Sequence, residues 1–203
     1  MGMVNPEAEN DESLVSRAAD GDTSAFDELV TRYQDRVYRL ACRLTGHDTD
    51  AFDVLQDTFL QVFRHLASFR GEAKFSTWLY RIATNAALMH QRTQTRHPAE
   101  SLENFLPRFD ATNTHRQTPE ELQVASRVEE VLNHELLAAR VREAVERLPE
   151  IYRAAFVLRD LEEMPTDDVA VILGVESATV RQRVHRARLM LRGFLSDLAG
   201  VKP

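Results

Sequence analysis

Residues 178–192, Ala178-Thr179-Val180-Arg181-Gln182-Arg183-Val184-His185-Arg186-Ala187-Arg188-Leu189-Met190-Leu191-Arg192, hold five arginines, one histidine and no acid. They do so in a 203-residue chain whose formal net charge is −7. On a 3.6-residue period Val180, Val184, Ala187 and Leu191 form one apolar stripe. Arg181, Gln182, His185 and Arg186 fall opposite, with Arg183 and Arg188 on the flanks. A helix apolar on one side and cationic on the other suits a polyanion. Just upstream, Thr166-Asp167-Asp168 is expected to supply an N-cap and an acidic first turn for a short apolar helix through Val169, Ala170, Ile172 and Leu173. Gly174 stands where a left-handed residue would end that helix, and Ser177 is placed to cap the next. Helix, glycine turn, basic helix predicts a helix-turn-helix whose second member enters the DNA major groove. A solvated charged face is the alternative, and the glycine turn favours DNA.

The rest of the chain sets the frame. Its length allows one or two domains, and 43 % hydrophobic content is enough for real cores. Few β-branched alternations predict an all-α protein. No apolar run approaches the ~20 residues of a membrane span, so no membrane insertion is expected. The first residues, Met1 to Glu12, are polar and acidic rather than signal-like. Cys42, the single cysteine, is expected as a buried small side chain in a reducing cytoplasm. The charge is segregated: residues 1–28 carry eight acids and one arginine, and residues 64–97 carry six Lys or Arg and one acid. Residues 99–135 return to eight acids and three arginines. Two basic surfaces between acidic segments predict two nucleic-acid contacts in a protein that does not bind DNA indiscriminately.

Periodicity organises the N-terminal half into four helices. A short one runs from Glu12 to Ala19, and a long one carries Phe26, Leu29, Val30, Tyr33, Val37, Leu40, Ala41 and Leu44 to a stop at Gly46. A third runs from about Thr49 to Leu66 with Leu55, Phe59, Val62 and Leu66 inward. After a loop over residues 68–73, a fourth spans about Lys74 to Arg92 and buries Phe75, Leu79, Ile82 and Ala86. Prolines and polar runs over residues 93–136 predict a linker. A second domain then starts near Leu137, with one helix stopped by Pro149 and another from Ile151 to Leu161.

Three blocks carry a family resemblance. Residues 50–59 (Asp50 to Phe59), residues 69–85 (Phe69 to Asn85), and residues 148–153 (Leu148 to Arg153) with the helix-turn-helix occur in this order. Together the chain resembles an extracytoplasmic-function, or ECF, RNA polymerase sigma factor over residues 12–97 and 137–195. The resemblance implies two small helical domains, a sigma-2-like bundle (1–97) and a sigma-4-like helix-turn-helix domain (137–203), joined by a flexible linker (98–136). It implies core RNA polymerase as partner, through the β′ clamp helices and the β flap, together with promoter DNA and a cognate anti-sigma factor. Asp53, Gln56 and Asp57 match the helix that grips the β′ clamp helices. Carboxylates and an amide on one helical face suit arginine-bearing partners. Phe52 departs from the family pattern, which more often has an acid there, and could add a contact.

Phe69, Ile82 and Asn85 match family positions that form a pocket for a flipped −10 base, while Lys74, Arg81 and Arg92 could hold the backbone. Capturing single-stranded bases calls for aromatic pockets, an amide for base edges and nearby cations. Trp78 lies on an apolar stripe and is open between core and DNA. Arg181, Gln182, Arg183, His185 and Arg186 correspond to the −35 reading helix, where arginine pairs with guanine and glutamine with adenine. Glu176 departs from the small or proline residue common before that helix.

Catalytic readings find no support in the motifs. His134-Glu135 lacks the second histidine of a zinc-protease helix, and scattered histidines with one cysteine form no metal cluster. No phosphate loop or nucleophile motif is present, so neither cofactor nor enzymatic activity is expected. The competing reading is a self-sufficient dimeric helix-turn-helix repressor or activator. That reading would need a palindromic site and leaves residues 53–57 and 69–85 unexplained.

Overall fold

The computed structural model describes residues 9–94 and 127–198. The N-terminal unit comprises α1 (Asp11–Ala19), α2 (Thr23–Thr45), α3 (Asp48–His65) and α4 (Phe75–Gln94). The C-terminal unit comprises α5 (Arg127–Glu146), α6 (Glu150–Phe156), α7 (Thr166–Leu173) and α8 (Ser177–Leu198). Among the described residues there is no strand, and no helix is long and apolar enough to cross a membrane.

Local chemistry sets the helix ends. Asn10 Oδ1 accepts the Ser13 N–H at 2.8 Å to start α1. Asp22 Oδ1 accepts the N–H groups of Ser24 and Ala25 at 2.9 and 3.3 Å to start α2. The Ser24 hydroxyl and the Arg17 guanidinium also bond that carboxylate and hold it well below the usual carboxylate range. Gly46 ends α2 in the left-handed region at φ 82°. A Cβ there would strain the backbone and meet the Glu146 side chain at 3.2 Å. In the core of the bundle Leu29, Val37, Leu40 and Leu44 from α2 meet Val54 and Val62 of α3 and Leu79 of α4, each at most 1 % exposed. Burying one such side chain contributes roughly 1.5–3 kcal/mol. Leu55, Phe59, Ile82 and Ala86, expected inward, are only half-buried, and on α3 the inner line runs through Ala51, Val54, Thr58 and Val62 instead. Two threonines share this interior because their hydroxyls donate back along their own helices, Thr45 to the Ala41 carbonyl and Thr58 to that of Val54.

The C-terminal unit refines three expectations. Helix α5 begins at Arg127, inside the stretch whose prolines and polar runs predict a linker; residues 95–126 of that stretch lie outside the described residues. The Ile151–Leu161 helix is α6 followed by a π turn over Val157–Leu161, which leads directly into Glu162. Thr166 is not the cap of α7. Pro165, at φ −56° and ψ 143°, takes that position, and Thr166 is already helical. Ser177 donates to Asp167 Oδ1 at 2.6 Å, tying the start of α8 to the first turn of α7. Gly174 is left-handed at φ 63°, as the sequence predicts.

The two units are docked. Helix α7 packs on α4, and α2 touches α5 and the π turn. Arg153, mostly buried, donates to the Leu44 carbonyl at the end of α2 at 2.9 Å. It also donates to the carbonyls of Glu146 and Leu148 at 2.8 and 3.0 Å. A cation thus sits where several helix-end carbonyls converge, the arrangement a helix C-terminus favours. Burial lowers its pKa from the ordinary arginine value. Arg43 of α2 pairs with Glu162 and donates to the Leu161 carbonyl at 3.0 Å. Arg92 of α4 pairs with Glu150 of α6 at 2.7 Å.

Candidate nucleic-acid interface

Helix α8 presents its residues as the period requires. Val180, Val184, Ala187 and Leu191 are 0–7 % exposed against the rest of the C-terminal unit. Arg181, Gln182 and His185 stand exposed on the other side. Arg183 and Arg186 are half-buried, and the Arg186 guanidinium donates to the Tyr152 hydroxyl at 3.2 Å. Arg188 turns to the body of the domain, forking onto Asp160 with Nε···Oδ2 2.7 Å and Nη2···Oδ1 2.8 Å. The cationic face is therefore narrower than the arginine count suggests. Its exposed centre is Arg181, Gln182 and His185, which include the side-chain types that can pair with base edges.

The second assembly surrounds the start of α4. A 3-10 turn over Leu66–Ser68 and the Phe69 N–H bonded to the Leu66 carbonyl at 3.0 Å deliver Phe69 onto Trp78. The two rings lie 5.0 Å apart at 43°. Phe75, 5 % exposed, anchors both and packs edge-on against Tyr33 at 5.5 Å. Beside this cluster opens a cavity of about 390 Å³ lined among others by Phe69, Arg70, Thr77, Trp78, Arg81 and Val171. Trp78 is half-buried, so it is both part of the aromatic core and a wall of the cavity. Ile82, half-buried, and Asn85, exposed, continue the same face of α4 one turn on. Neither lines the cavity itself, while Lys74 stands exposed just before α4. Arg70 and Thr77 are cavity residues that sequence reasoning missed; only their proximity to Phe69 and Trp78 could have signalled them. Arg92, expected near DNA, pairs with Glu150 and stays largely exposed.

Helix α3 presents the third surface. Asp53, Gln56 and Asp57 are all exposed, and Asp53 lies 4.0 Å from His90 Nε2 of α4. Phe52, Leu60 and Phe63 are 52, 49 and 60 % exposed and share the helical face that carries Gln56. The Phe63 ring also packs edge-on to Phe26 at 5.2 Å. Leu60 and Phe63 went unnoticed in the sequence, although their spacing from Phe52 would have placed them on that side. The surface combines acids with exposed apolar groups, the composition of a protein-binding patch rather than a DNA-binding one.

Comparison with known proteins places both units in described families. The Sigma-70 region 2 family matches residues 29–97, and the Sigma-70 region 4 family matches residues 138–191. The ECF RNA polymerase sigma-E factor of Haemophilus influenzae is 36 % identical over 197 residues, covering 93 % of this chain and 96 % of that protein. The solved structure of CnrH in complex with the cytosolic domain of CnrY superposes with a TM-score of 0.67 at 25 % identity, covering 93 % of this chain and 99 % of that one. The sigma factor RpoE of Bartonella quintana, solved with the anti-sigma factor NepR, shares the fold at TM-score 0.58 and 21 % identity, covering 84 % of this chain and 96 % of that one.

Proposed function

Because the chain belongs to the extracytoplasmic-function RNA polymerase sigma factors, we propose that its two units divide promoter recognition between them. Family membership sets aside the self-sufficient repressor. Residues 1–97 bind core polymerase and open the −10 element, and residues 137–203 read the −35 element. The carrying observation is the aromatic cavity beside Phe69 and Trp78 on the same chain as the exposed Arg181–Gln182–His185 face. Phe69, Trp78, Ile82 and Asn85 receive an unstacked base, and Lys74 and Arg81 hold the strand. Arg181, Gln182, Arg183, His185 and Arg186 contact the −35 duplex, with Arg186 releasing Tyr152 to do so. Asp53, Gln56 and Asp57 grip the β′ clamp helices, and the region 4 domain meets the β flap. The exposed Phe52 adds apolar area to the polymerase contact.

Phosphoryl transfer belongs to the polymerase, so the chain does no bond-making chemistry of its own and acts in the cytoplasm. A cognate anti-sigma factor controls it. The two structural neighbours, each solved with a bound protein partner, support that reading. The test is reconstitution with core polymerase and a promoter selected from random DNA. Promoter-dependent transcripts that disappear with Asp53→Arg while the free chain stays folded are the expected result. Failure to co-purify with core polymerase would sink the proposal.

A further inference from the structure

Two lines of contact run from α1 to the aromatic wall formed by Phe69 and Trp78. The first passes through side chains. Asp11, in the first turn of α1, commits both carboxylate oxygens to α2: Oδ1 accepts from Arg32 Nη1 at 2.7 Å, and Oδ2 accepts from the Tyr33 hydroxyl. Tyr33 is 5 % exposed. Burial, then the Asp11 bond, pushes the phenol's pKa up, so the proton stays on the oxygen and is donated. The Tyr33 ring packs edge-on against Phe75 at 5.5 Å, and Phe75 meets Phe69 at 6.1 Å and Trp78 at 6.0 Å. Rings in such contact restrict one another's orientation. The second line passes through backbone. Helix α1 packs on the 3-10 turn over Leu66–Ser68, with Leu14, Val15 and Leu66 all buried, and the Phe69 N–H bonds the Leu66 carbonyl at 3.0 Å. Arg32 fastens the same end of the chain again by donating to the Glu9 carbonyl at 2.9 Å. Phe69 thus leaves a turn that α1 supports and meets a ring that α1 orients.

We propose that α1 is a buttress of the base-capture site, with Asp11 and Tyr33 as positioning residues that hold the Phe69–Trp78 wall ready for a single-stranded base. This rests on the reading that the Phe69–Trp78 cavity receives a promoter base. Neither positioning residue lines the cavity; both act through Phe75. The site needs such support because Phe69 lies outside any helix, between the 3-10 turn and α4. A wall that samples other orientations takes up a base only in the fraction of chains where the rings are set, and the apparent affinity falls by that fraction.

The experiment uses full-length protein assembled with core polymerase, a promoter fragment selected with the wild type, and a labelled single-stranded oligonucleotide carrying its −10 element. Asp11→Ala and Tyr33→Phe should leave core polymerase affinity unchanged and lower single-strand affinity about tenfold. Asp11→Asn, which keeps one acceptor oxygen, should recover part of that loss. In the free chain, quenching by neutral acrylamide of Trp78, the single tryptophan, should rise with Asp11→Ala and with Tyr33→Phe. Leu40→Val, a core truncation outside both lines of contact, separates positioning from stability. It should lower the melting midpoint yet bind the single strand like wild type. Unchanged single-strand affinity or unchanged quenching in both Asp11→Ala and Tyr33→Phe overturns the buttress. So does single-strand affinity that falls with the melting midpoint in Leu40→Val as well. Phe69→Ala keeps the two readings apart. If it loses single-strand binding while Asp11→Ala and Tyr33→Phe do not, only the buttress falls. If it binds like wild type, the base-cavity reading falls and takes the buttress with it.

Discussion

Arg181 and Arg188 sit two turns apart on α8, and their surroundings give them different work. Arg181 is exposed toward solvent with no ion pair among the described residues, whereas Arg188 is forked onto Asp160. Arg181→Ala should weaken promoter binding by about 1–3 kcal/mol, roughly five- to 150-fold, and reduce promoter-dependent transcription accordingly. Arg188→Ala should leave promoter strength nearly unchanged and cost about 1–2 kcal/mol of stability, because the guanidinium is solvent-exposed but leaves the Asp160 carboxylate, 15 % exposed, without its partner. Run-off transcription and thermal melting check both. Phe69 and Asn85 make a second residue-level case. Phe69→Ala and Asn85→Ala should leave core polymerase binding intact yet suppress permanganate-reactive thymines near the start site. Equal reactivity in both variants would remove these residues from base capture. Arginines and glutamine on one helical face were legible from spacing alone. The carboxylate and phenol that engage Arg188 and Arg186 were not, since Asp160 and Tyr152 lie 28 and 34 residues away in sequence.

At the scale of elements, the turn between α7 and α8 depends on one backbone conformation. Gly174 is left-handed, and a Cβ there would meet nothing within 4 Å. Gly174→Ala therefore isolates the backbone cost, expected at about 1–2 kcal/mol, without a packing clash. A denaturant melt should show that loss with an unchanged m-value. No change in midpoint would mean that the turn relaxes freely. The sequence located α1 to α4 to within a few residues, because apolar stripes and caps are local signals. It misplaced the cap of α7, since Thr166 and Pro165 are both acceptable neighbours of a helix start and only the backbone angles distinguish them. The π turn at Val157–Leu161 left no mark in the hydrophobic period.

Over the whole molecule, Arg153 joins what the sequence presents as separate units. It donates to carbonyls from the ends of α2 and α5 and from the Leu148 turn. Arg153→Ala leaves these acceptors without their charged donor, and should cost about 2 kcal/mol or more. The same variant should expose Trp78 to acrylamide, linking loss of stability to loss of docking. A melt identical to wild type would show that water replaces the guanidinium at no cost.

Sequence by itself determined the all-helical class, the cationic face of α8, the acidic face of α3 and the family, because each is written in the spacing of neighbouring residues within short blocks of the chain. Tertiary structure alone decided which arginines remain available, that Trp78 is wall and core at once, and that Val171 lines the same cavity. Those facts rest on contacts between residues as far apart as Arg43 and Glu162. Burial and ion pairing at such contacts depend on how helices dock, and docking follows from the combined surfaces of several helices rather than from the period of any one.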